Sequence, residues 1–107
     1  MFSIKFSGPA GFGIMEGGRV LGEALSSLGF SVLSYPEYPS RIRGGDNVSQ
    51  ISFSSLSMPL PEAKNDLLVI FSPENLPLHL NEKKENGLLL YNEIEKKPLQ
   101  YREVVGI

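Results

Sequence analysis

Two glycine-rich segments in the first half of the chain hold residues suited to gripping an anion. The first, Gly8-Pro9-Ala10-Gly11-Phe12-Gly13, lies between an alternating apolar stretch (Phe2, Ile4, Phe6) and a helical pattern. A glycine turn leading from a strand into a helix presents backbone N–H groups and the positive end of the helix dipole, and phosphate is the usual occupant. The spacing G-x-x-G-x-G differs from the dinucleotide fingerprint G-x-G-x-x-G, and no Lys-Ser/Thr follows to make a P-loop. A tight turn without a ligand fits the same residues. The second segment is Arg41-Ile42-Arg43-Gly44-Gly45-Asp46-Asn47. Guanidinium donors beside exposed backbone amides suit phosphate or carboxylate; a solvated loop with weak surface ion pairs is the plain alternative. The candidate binding residues are therefore Gly8, Gly11, Gly13, Arg43, Gly44, Gly45 and Asn47.

Other titratable groups offer less. Glu37, beyond the second apolar stretch, stands where a dinucleotide-binding domain holds a ribose hydroxyl, but Pro36 and Pro39 impose another loop shape and favour an exposed carboxylate. His79, the single histidine, has no Ser or Asp nearby in sequence to make it a base, and is expected at the surface or a helix edge. The runs Asn81–Glu85 and Glu93–Lys97 read as solvated faces. No spacing suits a metal, and no residue stands out as catalytic.

The elements that must carry these segments follow from periodicity. Phe2–Ser7 reads as a strand, and Ile14, Leu21, Leu25 and Leu28 as one face of a helix ended by Gly29. Gly17, Gly18 and Gly22 weaken that helix, so it must pack closely on a neighbour. Phe30–Tyr35 reads as a second strand, giving a βαβ unit with a right-handed crossover. The segment Pro36–Ser40 is expected to be irregular because of its prolines. Val48–Ser54, the apolar run Asp66–Phe71 and Leu88–Tyr91 read as further strands, with a weak one at Arg102–Val105. Ser72-Pro73 has the pattern of a helix start that Pro77 limits or delays.

Composition narrows the function. The 107 residues fit one small domain, and a formal charge of −2 argues against nucleic acid or an anionic membrane as the main partner. No apolar run reaches the ~18 residues of a membrane span, and the N-terminus lacks the layout of a signal peptide; a cytoplasmic location is expected. With no cysteine, the chain has no thiolate nucleophile and no cysteine ligand for zinc or an iron–sulfur cluster. Nine of the eleven glycines fall within the first 45 residues, which concentrates close backbone approach there.

Taken together, Gly8–Met15, the string Tyr35-Pro36-Glu37-Tyr38-Pro39-Ser40 and Ile42-Arg43-Gly44-Gly45-Asp46-Asn47 resemble the gamma domain of 2-oxoacid:ferredoxin oxidoreductases. The likeness is to the form in which gamma is the N-terminal part of a fused alpha subunit. It covers residues 1–91, leaving 92–107 as a poorly assigned tail. Phe12 replaces the glutamine usual in the family's turn, and Arg41 an apolar residue. The resemblance implies a three-layer α/β/α domain with a mostly parallel, Rossmann-like sheet, incomplete here because the family's domain is longer. It also implies a complex that oxidatively decarboxylates a 2-oxoacid to an acyl-CoA and passes electrons to ferredoxin. Thiamine diphosphate, magnesium, iron–sulfur clusters and CoA are expected in that complex, on alpha and beta subunits or domains, with none held by this chain alone. Gly45-Asp46-Asn47 departs from the Gly-Asp-Gly of a thiamine diphosphate site. The two glycine segments are expected together at the carboxyl ends of the parallel strands, contacting CoA or bracing the thiamine-bearing subunits. The alternatives are a non-catalytic assembly module that binds only protein and a dinucleotide-binding domain using Glu37.

Overall fold

In a computed structural model, residues 1–37 and 45–91 are described, Pro73 among them as backbone only, and residues 104–106 as backbone. The elements in chain order are β1 (Phe2–Gly8), α1 (Ile14–Ser27), β2 (Ser31–Glu37), β3 (Asn47–Ser54), β4 (Asn65–Ile70), α2 (Leu76–His79), β5 (Lys83–Tyr91) and β6 (Val104–Gly106). A 3-10 turn precedes α2 (Pro73–Asn75) and another follows it (Leu80–Glu82). The strands form one sheet in the order β2-β3-β1-β4-β5-β6. The pairings β1–β4, β4–β5 and β5–β6 are parallel, whereas β2–β3 and β3–β1 are antiparallel.

This corrects the expected βαβ unit. β1 and β2 do run in the same direction, but β3 is inserted between them and pairs antiparallel with both. The sheet is therefore mixed, with a parallel majority among its pairings. β2 also extends through Pro36 and Glu37, which were expected to be irregular. It lies at the sheet edge, where a proline without an N–H is tolerated because only one side of the strand is paired.

One face of the sheet receives α1. The alternation places Ile4, Phe6 and Gly8 of β1 beside Ile51, Ser49 and Asn47 of β3, with Val32, Ser34 and Pro36 of β2 next to them. The helix packs through its small residues, since Ile14, Gly18 and Gly22 are its buried positions. A Cβ on Gly18 would overlap the Ser49 hydroxyl and lie 2.8 Å from Ser49 Cβ, so only glycine lets the helix sit this low. The anticipated close packing is thus real at Gly18 and Gly22, while Gly17 faces open space. Leu28, expected on the apolar face, is 75 % exposed, because the contact stripe runs through the glycines and leaves it past the sheet. Gly29 takes the left-handed conformation just after the helix, as its place in the sequence indicates.

The opposite face of β4 and β5 carries the main core. Leu68, Ile70, Leu89 and Tyr91 pack with Leu76 of α2, and Leu80 adds to the cluster. The 55–64 connector also lies over this face: the Gln50 side-chain amide donates to the Glu62 carbonyl at 2.6 Å. These layers, α1 on one side and the α2 turns with the connector on the other, give the three-layer arrangement. The helix start at Ser72-Pro73 is a 3-10 turn, and α2 begins at Leu76 with Pro77 in its first turn. β5 begins at Lys83, inside the run read as a solvated face. The Lys83 ammonium donates to the carbonyls of Lys84 and Gly87, each at 3.0 Å. Lys84 pairs with Asp66 at 3.1 Å.

Candidate functional site

The two glycine segments meet at one end of the strands, along the glycine edge where β1 finishes and β3 begins. β1 delivers Gly8, the start of the first turn, and Gly8 is the register partner of Asn47, which ends the second segment and opens β3. The turn folds back through a Phe12 N–H to Pro9 carbonyl bond of 3.2 Å. Gly13 is the N-cap of α1 at φ 74°, a left-handed conformation open to glycine without strain, and no side chain caps the helix there. The first-turn N–H groups of α1 have no intrahelical acceptor and keep the positive dipole end available. Gly11 (φ 91°) sits at the exposed tip of the turn, and Phe12 is 55 % exposed, its ring edge-on to Phe71 at 6.3 Å. Gly45 is also left-handed, at φ 78°, immediately before the buried Asp46. Arg41, Arg43 and Gly44 lie outside the described residues. Of the candidate binding residues, Gly8, Gly11, Gly13, Gly45 and Asn47 therefore gather along this edge.

Beneath the edge lies a buried polar cluster that sequence reasoning missed. On β1, Ser3, Lys5 and Ser7 alternate with the apolar residues and face the α2 side of the sheet, where Ser7 is fully buried and Lys5 is 2 % exposed. The Ser7 hydroxyl donates to Asp46 Oδ2 at 3.3 Å and lies 3.1 Å from His79 Nε2. The Ser72 hydroxyl donates to Asp46 Oδ1 at 3.0 Å instead of capping a helix. His79 Nδ1 hydrogen-bonds Glu82, and Glu82 also pairs with the Lys5 ammonium, which lies 3.6 Å from Glu37. Burial would raise the Glu82 pKa, but the hydrogen bonds from His79 and Lys5 and the charge of Lys5 prevail and hold it at about 2.

Three expectations are corrected here. His79 is completely buried, because α2 turns its ring inward onto β1. Glu82 belongs to a buried ion pair rather than a solvated face. Glu37 is not a free loop carboxylate but the end of β2, drawn toward Lys5. The signal for this cluster was the Ser3–Lys5–Ser7 alternation, which from sequence alone reads as the wet face of a half-buried strand. Ser7, His79 and Glu82 have the order of a hydrolytic triad, but the burial of Ser7 and His79 closes them to a substrate.

Fold and edge together define an α/β domain with two glycine segments side by side at the carboxyl end of β1. The chain matches the family model for pyruvate ferredoxin/flavodoxin oxidoreductase over residues 3–106. It is also 31 % identical, over 85 residues and 79 % of its length, to the alpha subunit of a 2-oxoacid:ferredoxin oxidoreductase from a Sulfolobus species. The chain belongs to the pyruvate ferredoxin/flavodoxin oxidoreductase family.

Solved structures agree on the fold. The gamma subunit of a keto/oxoacid ferredoxin oxidoreductase from Geobacter sulfurreducens matches with a TM-score of 0.76 at 24 % identity, over 99 % of this chain and 60 % of that one. A pyruvate oxidoreductase subunit from Thermotoga maritima matches with a TM-score of 0.67 at 26 % identity, over 88 % of this chain and 51 % of that one. The 2-oxoglutarate:ferredoxin oxidoreductase of Magnetococcus marinus, solved with 2-oxoglutarate, coenzyme A and succinyl-CoA, gives a TM-score of 0.81 at 22 % identity. There the match covers 96 % of this chain and 18 % of that one. The chain spans 13 % of the Sulfolobus subunit. Among the described residues, no helix is long and apolar enough to cross a membrane.

Proposed function

We propose that this chain supplies the gamma-type domain of a multi-subunit 2-oxoacid:ferredoxin oxidoreductase in the cytoplasm, and that its glycine edge helps hold coenzyme A while partner subunits carry out the redox chemistry. The observation that carries this reading is the register pairing of Gly8 with Asn47, which brings the turn into α1 and the end of the Arg-Gly-Gly loop side by side. Left-handed Gly13 and the uncapped N-terminus of α1 suit a phosphate of the coenzyme, and Arg43 is the cation that would complete the cradle. The chain has no cysteine with which to hold an iron–sulfur cluster of the usual kind. Thiamine diphosphate, magnesium and the clusters are assigned to cofactor-bearing alpha and beta subunits or domains, and ferredoxin to the electron-accepting side.

The test is Arg43→Ala in the assembled enzyme. Loss of a charge-assisted contact to a phosphate, about 1.5–3 kcal/mol, raises the KM for CoA roughly tenfold or more with the complex intact. A defect in assembly with the KM for CoA unchanged instead favours a segment that braces only protein. Unchanged kinetics and unchanged assembly overturn both. A dinucleotide-binding role is disfavoured by Glu37, which is drawn to Lys5, and by the insertion of β3 between β1 and β2.

A further inference from the structure

The sheet ends on one side with β2, and among the described residues no strand pairs with its outer side. That side carries a row of backbone N–H and C=O groups able to take another strand. Such edges are usually blunted by charge, proline or a bulge. In β2 the proline and the one charge, Pro36 and Glu37, are the last two residues, so Ser31–Tyr35 is left as an uncharged ladder. On the α1 face a groove of about 620 Å³ opens between the helix and this strand, with Val32 and Ser34 on its floor and Arg19, Gly22 and Glu23 along its helix wall. Gly22 stands over the middle of the ladder: a Cβ there would lie 3.6 Å from Ser34 Cβ and 3.7 Å from Val32 Cγ1. Leu33, between those two, points to the other face and is half-buried.

These positions fit a second copy of the chain. A two-fold axis normal to the sheet at Leu33 pairs β2 antiparallel with itself, Leu33 against Leu33, Val32 against Ser34 and Ser31 against Tyr35, with Pro36 outside the ladder. α1 packs on both β2 and β3, so its axis runs above the space between them. Strands lie ~4.8 Å apart, which puts that line one strand spacing from the two-fold. The two α1 helices then run antiparallel ~10 Å apart, the contact distance of packed helices. Gly22 faces Gly22 at the centre, so no large side chain separates them there. Arg19, one turn before Gly22, faces the second copy's helix just past its own Gly22, where Glu23 stands. The two side chains are 55 % and 67 % exposed and pair at 2.7 Å within one helix. The two-fold closes two such pairs into a ring of alternating charge.

We propose that the open edge of β2 and the adjoining stripe of α1 form a self-association surface, through which two copies of this chain join their sheets into one. The interface is isologous, each copy presenting the same patch to the other. Its axis passes through the middle of β2, not the strand ends where the glycine segments meet, so it holds whether or not those segments bind coenzyme A.

Sedimentation equilibrium of the chain over a concentration series is expected to show monomer and dimer in exchange, with amide hydrogen exchange in Ser31–Tyr35 slowing as the dimer fills. Arg19→Glu and Glu23→Arg each set like charges across the two-fold and are each expected to weaken dimerisation roughly tenfold. Mixed in equal amounts, the two variants place every glutamate against an arginine and are expected to form a heterodimer of wild-type strength, which misfolded variants cannot do. A chain that stays monomeric up to its solubility limit overturns the proposal. So does a dimer whose β2 amides exchange at the monomer's rate, or a mixture that associates no better than either variant alone.

Discussion

Gly17 and Gly18 are neighbours in α1, yet the same change to alanine is expected to shift stability in opposite directions. An added Cβ at Gly17 meets nothing within 4 Å, so Gly17→Ala keeps only the gain in helix propensity, about 0.5–1 kcal/mol of added stability. At Gly18 the propensity gain is the same, but the new methyl overlaps the Ser49 hydroxyl and comes 2.8 Å from Ser49 Cβ. Ser49 lies on β3, a strand paired on both sides within the sheet, and its backbone has little room to retreat. Overpacking of this kind costs roughly 1–3 kcal/mol. A rigid strand places it near the upper end, and Gly18→Ala is left a net ~1–2 kcal/mol less stable. Urea unfolding of the two variants beside the wild type measures the difference directly, and thermal midpoints should separate by several degrees. Adding Ser49→Ala to Gly18→Ala removes the hydroxyl collision but keeps the Cβ contact, so it recovers only part of the loss. If both single variants shift stability in the same direction, the packing of α1 on β3 described above is wrong.

Two further outcomes follow from the buried cluster and the core. Glu82 has a folded-state pKa of about 2, below its ordinary value of 4.5, so its contribution is fully present above pH 4.5 and is lost as the pH falls toward 2. Glu82→Gln is expected to cost roughly 2–4 kcal/mol at neutral pH, because it leaves Lys5 buried with a weakened partner. Denaturant titrations of both proteins between pH 7 and 3 should show the gap narrowing below pH 4.5; a gap independent of pH contradicts the ion-pair account. Leu68→Ala, at a fully buried core position, should cost about 2–5 kcal/mol. Leu56→Ala, at a site 96 % exposed, should stay within about 0.5 kcal/mol in the same unfolding assay.

What the sequence revealed and what it hid divide along a physical line. The strands could be read because Phe2, Ile4 and Phe6, or Ile51 and Phe53, repeat with period two, and that period is local information. The glycine turn was visible for the same reason. The place of β3 was not, since inserting a strand between β1 and β2 depends on which edges pair and leaves no trace in either segment. Pro36 misled because its consequence differs between an edge strand and a central one. The polar cluster was hidden by distance along the chain: Lys5 meets Glu82 across 77 residues and Ser7 meets His79 across 72. A serine or lysine on alternate strand positions looks solvated until the partners that satisfy it are known. The candidate edge was half legible, since its glycines and Asp46 stand in the sequence while the contacts that tie Asp46 to Ser7 and Ser72, and Ser7 to His79, do not.

The position of β1 has a consequence for how the chain is made. Both of its neighbours, β3 and β4, come later, and β4 ends only at Ile70. During synthesis at ~5–20 residues per second, the first strand leaves the ribosome with two open edges and waits roughly 3–12 s for the second of them to close. Pairings over such separations also slow folding after release. During that wait Phe2, Ile4 and Phe6 form an apolar ribbon ready to pair with any passing strand. The alternate positions Ser3, Lys5 and Ser7, later sealed into the polar cluster, face water in the nascent chain, and the Lys5 charge there opposes edge-to-edge aggregation. The same lysine thus protects the unfinished strand before it becomes part of the finished interior.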